Sequence, residues 1–146
     1  MTEQWIKGCV VQRIMFRDGL VLSLDDYNEL LISVPFHLRL PKIPTGDEEV
    51  VVVDPKAMKN EVRPLFDFAG QTVTHADWDE DGSLHLGFSD GQEIDAHSNE
   101  HRTAWEVYGK YHGYAACLPR GEVRVVRHDV AEEDEGSLAH DYLQDD

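Results

Sequence analysis

Apolar residues recur at every second position through long stretches of the chain. Ile14 and Phe16 fall on one side of an extended backbone, as do Leu20, Leu22 and Leu24, then Leu30, Ile32 and Val34. The same period returns at Ala76 and Trp78, at Leu84, Leu86 and Phe88, and at Ile94 and Ala96. A period of two marks half-buried strands, because successive side chains leave a strand on opposite faces. Asp18-Gly19, Asp81-Gly82 and Asp90-Gly91 separate these runs, and glycine there supplies the positive φ of tight hairpins. Two three-stranded antiparallel meanders are predicted, over about residues 8–34 and 70–97.

The two stretches also resemble each other. Gly8 and Val11 match Gly70 and Val73 at an offset of 62, whereas Leu22 and Leu24 match Leu86 and Phe88 at an offset of 64. The second copy therefore carries a first turn two residues longer, and the copies suggest a pseudo-twofold arrangement. Five of the six prolines (Pro35, Pro41, Pro44, Pro55 and Pro64) lie between them. In that linker Val50 to Val53 read as a short buried strand. Lys56 to Arg63 read as a helical turn or two stopped by Pro64. Beyond the second copy, Thr103 to Tyr108 read as a short helix ending at Gly109, and Trp105 should be buried against the second meander. Tyr114 to Leu118 and Glu122 to Val126 form a hairpin across Pro119, Arg120 and Gly121. The expected fold is mainly β, a β-rich α+β domain of about eight strands with one or two short helices.

Composition sets the bounds. With 146 residues, the chain has room for one domain of ordinary size. The acidic residues number 29 against 13 basic, a net charge of −16 with histidine neutral. Such a balance disfavours direct binding to nucleic acid or to anionic membranes. The longest apolar run, Tyr114 to Leu118, is far too short to span a bilayer. The first residues lack the basic start and apolar stretch of a secretion signal, and two cysteines, Cys9 and Cys117, make no disulfide framework. A cytoplasmic protein is expected. Residues 64–101 hold nine acidic side chains and no lysine or arginine; residues 129–146 hold eight and none. The expected organisation is one domain over 1–128 followed by a disordered acidic tail over 129–146.

Candidate chemistry is sparse. His97, Glu100 and His101 fit the H-x-x-E-H spacing, in which a helix would turn two zinc-binding histidines to one side. The segment follows a strand and reads as a polar loop, so the metal reading of His97 and His101 ranks below it. Asp77 to Gly82 match the opening of a calcium loop, but Phe88 stands where a bidentate Glu should close the shell. A solvated acidic turn is the favoured reading. Cys9 and Cys117 sit in apolar strand contexts that suit inert thiols. Trp105, Tyr108, Tyr111 and Tyr114 recur at intervals of three, and the charged neighbours of Tyr108 and Tyr111 suit interface anchors.

The paired Gly-x-x-Val…Asp-Gly meanders, Val53-Asp54-Pro55 between them, Pro64-Leu65, Trp105-Glu106 and the Cys117-to-Glu122 hairpin resemble a family of small bacterial two-repeat β-rich proteins of unknown function, immunity-protein-like in character. The resemblance covers about residues 8–126 and carries no catalytic residues. Together these features lead to a non-enzymatic protein-binding module, such as an immunity protein or inhibitor, with no cofactor. Asp77, Asp79, Glu80, Asp81, Asp90, Glu93 and Asp95 would meet a basic protein, such as a toxin or a nucleic-acid enzyme, with Tyr108 and Tyr111 as further contacts. The alternatives are an acidic mimic of nucleic acid and a small metal-dependent enzyme using His97, Glu100 and His101. Monomer and homodimer stay open.

Overall fold

The computed structural model describes residues 2–41, 44 and 46–128. The expected acidic tail over 129–146 lies outside the described residues. Twelve strands follow in chain order: β1 (Thr2–Glu3), β2 (Val11–Phe16), β3 (Leu20–Leu24), β4 (Asn28–Ile32), β5 (Phe36–Arg39), β6 (Val50–Val53), β7 (Val73–Trp78), β8 (Leu84–Phe88), β9 (Glu93–Ala96), β10 (Trp105–Gly109), β11 (Gly113–Cys117) and β12 (Val123–Arg127). They form two six-stranded antiparallel sheets, in the orders β1-β7-β8-β9-β5-β6 and β12-β11-β10-β4-β3-β2. The fold is mainly β, as the alternation predicts.

Both meanders are present, β2-β3-β4 in the second sheet and β7-β8-β9 in the first. Each opens on a bulge, between Val11 and Arg13 in one and between Val73 and His75 in the other. Asp18 and Gly19, then Gly82 and Gly91, take the positive φ expected of their turns. The alternating positions of both sheets, including Leu22, Leu30, Phe36, Leu86, Ile94 and Val107, merge into one buried cluster. Covering that cluster is what fixes the register, since a one-residue slip would turn each strand's apolar set to water.

Four readings are corrected. Thr103 to Tyr108 is no helix: Trp105–Gly109 is strand β10, whose burial alternates along its length. The spacing of three that imitated a helix face spreads over β10, its turn and β11. Val50 to Val53 do form a strand, but a half-exposed one at the edge of the first sheet, with Val53 buried and Val50 and Val52 facing water. Around Pro64 the helical turn is a 3-10 turn over Arg63–Leu65 that contains the proline near its start, a position where a missing N–H is harmless. The strands number twelve among the described residues, because the short β1, β5 and β10 escape the pattern.

Trp105 behaves as predicted. It is fully buried, its ring centroid lies 5.7 Å from that of Trp78, and its Nε1–H donates to the Gly82 carbonyl at 2.8 Å. No helix among the described residues is long and apolar enough to cross a membrane.

Candidate functional site

In the first sheet the positions between the buried residues carry the polar chemistry. One register row runs Glu3, Asp77, His85, Asp95, His37 and Val52 across all six strands. The next runs His75, Gly87, Glu93, Arg39 and Val50. Their neighbours along the strands, such as Leu84, Leu86, Ile94 and Leu38, are buried, so both rows face outward. Gly87 leaves this face without a side chain between His75 and Glu93. A Cβ there would stand 3.1 Å from the His75 Cβ.

The result is an open concavity of about 570 Å³ lined by His37, Arg39, Val50, His75, Asp79, His85, Leu86, Glu93, Asp95 and His97. His85 is its centre. Its Nδ1 lies 2.6 Å from Asp95 Oδ1 and its Nε2 lies 2.7 Å from Asp79 Oδ2. Partial burial by itself would lower the His85 pKa, but the hydrogen bonds to Asp95 and Asp79 and their charges outweigh it and hold the pKa above the ordinary value. Arg39 Nε reaches the second Asp95 oxygen at 3.1 Å, and Arg39 also meets Glu48 at 3.4 Å. The chain Asp79–His85–Asp95–Arg39–Glu48 thus fixes alternating charges across three strands and two loops. Beside it, His75 Nε2 lies 2.8 Å from Asp77 Oδ2, while the other Asp77 oxygen is buried without a hydrogen-bond partner. His97 Nδ1 sits 3.0 Å from Ser83 Oγ, and its ring stands edge-on to His37 at 5.9 Å.

The acidic residues singled out from the sequence divide into groups. Asp77, Asp79, Glu93 and Asp95 share the outer face just described. Glu80 and Asp81 lie in the β7–β8 turn, where the Ser83 N–H donates to Asp81 and holds that carboxyl below its ordinary range. Asp90 caps the β8–β9 turn by accepting from the Gln92 N–H at 2.9 Å. Tyr108 is in β10 of the second sheet and Tyr111 in the turn that follows it, both exposed. Lys110 lies over the Tyr27 and Tyr111 rings, 5.0 and 5.8 Å from their centroids. The tyrosines therefore form a separate surface.

Neither metal pattern assembles. His97 to His101 follow β9 in a non-helical loop, closed by the His101 N–H donating to Asn99 Oδ1. Along Asp77 to Gly82 the carboxylates diverge, toward His75, His85 and Ser83 respectively. Among the described residues no group of three or more His, Cys, Asp or Glu could hold a metal ion. Sequence reasoning missed His37, Arg39, His75 and His85. Their signal was present: each occupies the polar position of a strand whose alternate positions are apolar.

No curated protein matches the chain. Over residues 2–127, nearly the whole described structure, it matches one family, and by that match the chain belongs to the family of unknown function DUF6188.

Proposed function

We propose that the chain is a non-enzymatic protein-binding module, immunity-protein-like, that occludes a basic protein partner through the outer face of its first sheet. The observation that supports this is the gathering of Asp79, Glu93 and Asp95 around one concavity, where they outnumber the Arg39 guanidinium even with His85 protonated. Asp79 and Asp95 are already held by His85, so little side-chain freedom is lost when a cation arrives. Complementary charge of this kind speeds capture and sharpens choice of partner more than it adds affinity. The reading places the protein in the bacterial cytoplasm, with a toxin or a nucleic-acid enzyme as the kind of partner whose basic cleft it would cover. Glu80, Asp81 and Asp90 extend the negative field to the two ends of the sheet.

The test is a pull-down from source-cell lysate at low and moderate salt, with the natural chain and a triple variant Glu80→Lys, Asp90→Lys, Glu93→Lys. A single stoichiometric basic protein, captured by the natural chain and lost from the variant, is expected. Many basic proteins lost together with salt would point instead to mimicry of nucleic acid. Capture indifferent to the charge reversal would overturn the reading.

A further inference from the structure

The first sheet ends in β6, four consecutive valines with β5 as their only strand partner among the described residues. The Leu40 N–H donates to the Glu49 carbonyl at 2.9 Å, which makes Leu40 and Glu49 a hydrogen-bonded pair. An antiparallel ladder alternates bonded and non-bonded pairs. Leu38–Val51 and Phe36–Val53 therefore exchange bonds with β5, whereas His37–Val52 and Arg39–Val50 do not. The N–H and C=O groups of Val50 and Val52 point away from the sheet, along its open edge.

Proteins usually blunt such an edge with a charge, a proline or a bulge; β6 has none. Val50 and Val52 are 45% and 66% exposed. On the other side of the strand, Val51 and Val53 join Ala57, Met58 and Val62 in lining a trough of about 330 Å³. The flanks are acidic. Asp47, Glu48 and Glu49 precede β6 and Asp54 follows it, all exposed, with Lys56 two residues further on.

A second copy is a poor occupant. Antiparallel pairing of β6 with itself across that edge, Val50 of one copy opposite Val52 of the other, would set Glu48 opposite Asp54, and like charges directly opposite are destabilising. Opposite charges at those positions would be favourable. We propose that β6 receives an extended segment of the partner protein as an added strand, with an apolar β-branched centre flanked by lysine or arginine. Main-chain hydrogen bonds would supply affinity and the flanking charges selectivity. This inference rests on the protein-binding reading above and gives that reading a mode of contact.

The experiment titrates the full chain calorimetrically with the synthetic peptide KRVTVTVRK and with its charge-reversed counterpart EEVTVTVEE. Val52→Pro is the decisive variant, because it removes an N–H that faces the open edge and none that bonds β5, the edge position at which strands tolerate proline. Binding of KRVTVTVRK is expected to weaken about tenfold or more in Val52→Pro, the loss of one hydrogen bond. It should also weaken in the double variant Glu48→Lys, Glu49→Lys, and EEVTVTVEE should not bind. In the natural chain, the peptide should slow amide exchange at Val50 and Val52, a readout that stands even if the proline variant does not fold. Peptide binding indifferent to Val52→Pro but lost in Glu93→Lys would sink strand addition and leave the sheet-face reading intact. Dimerisation of the free protein, abolished by Val52→Pro, would make a second copy the occupant and overturn the proposal. Failure of both peptides to bind would also overturn it, while the charge-reversal pull-down still judges the broader reading separately.

Discussion

His85 has both ring nitrogens against carboxylates, an arrangement that only the imidazolium satisfies with two donated protons. Its pKa accordingly lies above the ordinary 6.5, despite the opposing pull of burial. A group whose folded-state pKa is raised stabilises the fold fully below its unfolded value and loses that contribution as pH climbs through the folded value. The window therefore opens near 6.5 and closes above the raised pKa of His85. His85 and Asp79 side chains are 25% and 36% exposed, so solvent screening holds the effect to roughly 1 kcal/mol. Urea unfolding at about pH 6 and about pH 9 should show the natural chain losing that amount and His85→Gln losing clearly less. Equal losses would refute the assignment. The cysteines offer a second check at this scale. Burial, reinforced by Asp25, pushes the Cys9 thiol up to about 11, and burial with Asp81 nearby does the same to Cys117. At pH 8 about one thiol in a thousand is then ionised. An aromatic disulfide reagent should find no reactive thiol in the folded protein and two after denaturation; rapid labelling of either native cysteine would contradict the burial.

At the scale of elements, the turns lock the two sheets together. Gly82, in the β7–β8 turn, has φ +86, and a Cβ there would lie 2.6 Å from the Gly121 carbonyl oxygen and 2.8 Å from Cys117 Sγ. The same Gly82 presents its carbonyl to the Trp105 indole. Gly82→Ala combines a disfavoured left-handed backbone with overpacking against backbone atoms, and should cost about 3 kcal/mol. A change below about 1 kcal/mol in chemical denaturation would mean that the neighbouring turn yields. This turn was legible in the sequence because Asp81-Gly82 names its own conformation. Strand β10 was not, because Trp105, Tyr108 and Tyr111 imitate a helical face, while Trp105, Val107 and Gly109 carried the true period of two. Gly109 hid that signal, having no side chain to count as apolar. β6 was misplaced for a different reason: four valines show no alternation, so nothing local separates a central strand from an edge strand, and only the sheet order decides. The histidine-lined face was legible only strand by strand. His75 and His85 belong to the β7–β8 hairpin but His37 to β5, far earlier in the chain, and only the cross-strand register makes all three neighbours of Asp77, Asp79 and Asp95.

For the whole molecule the distribution of charge matters more than its sum. Both sheets and the buried cluster that joins them lie within residues 2–128. Removing residues 129–146 takes away eight acidic residues and no basic ones, which halves the net charge from −16 to −8. A chain ending at His128 should therefore unfold in urea with nearly the same dependence on denaturant, because that slope follows the surface exposed on unfolding. Its association with a basic partner should behave differently from its dissociation. Encounter is steered by the summed field, so the shortened chain should associate more slowly at low salt, with the difference fading as the Debye length falls to about 8 Å near physiological ionic strength. Dissociation is governed by close contacts. If those contacts belong to the first sheet and its β6 edge, the dissociation rate should be unchanged by the truncation while Glu93→Lys or Val52→Pro raises it. Stopped-flow and surface-binding kinetics on the captured partner separate the two rates. A dissociation rate that rises about tenfold on truncation alone would move the contact off the sheets and onto residues 129–146.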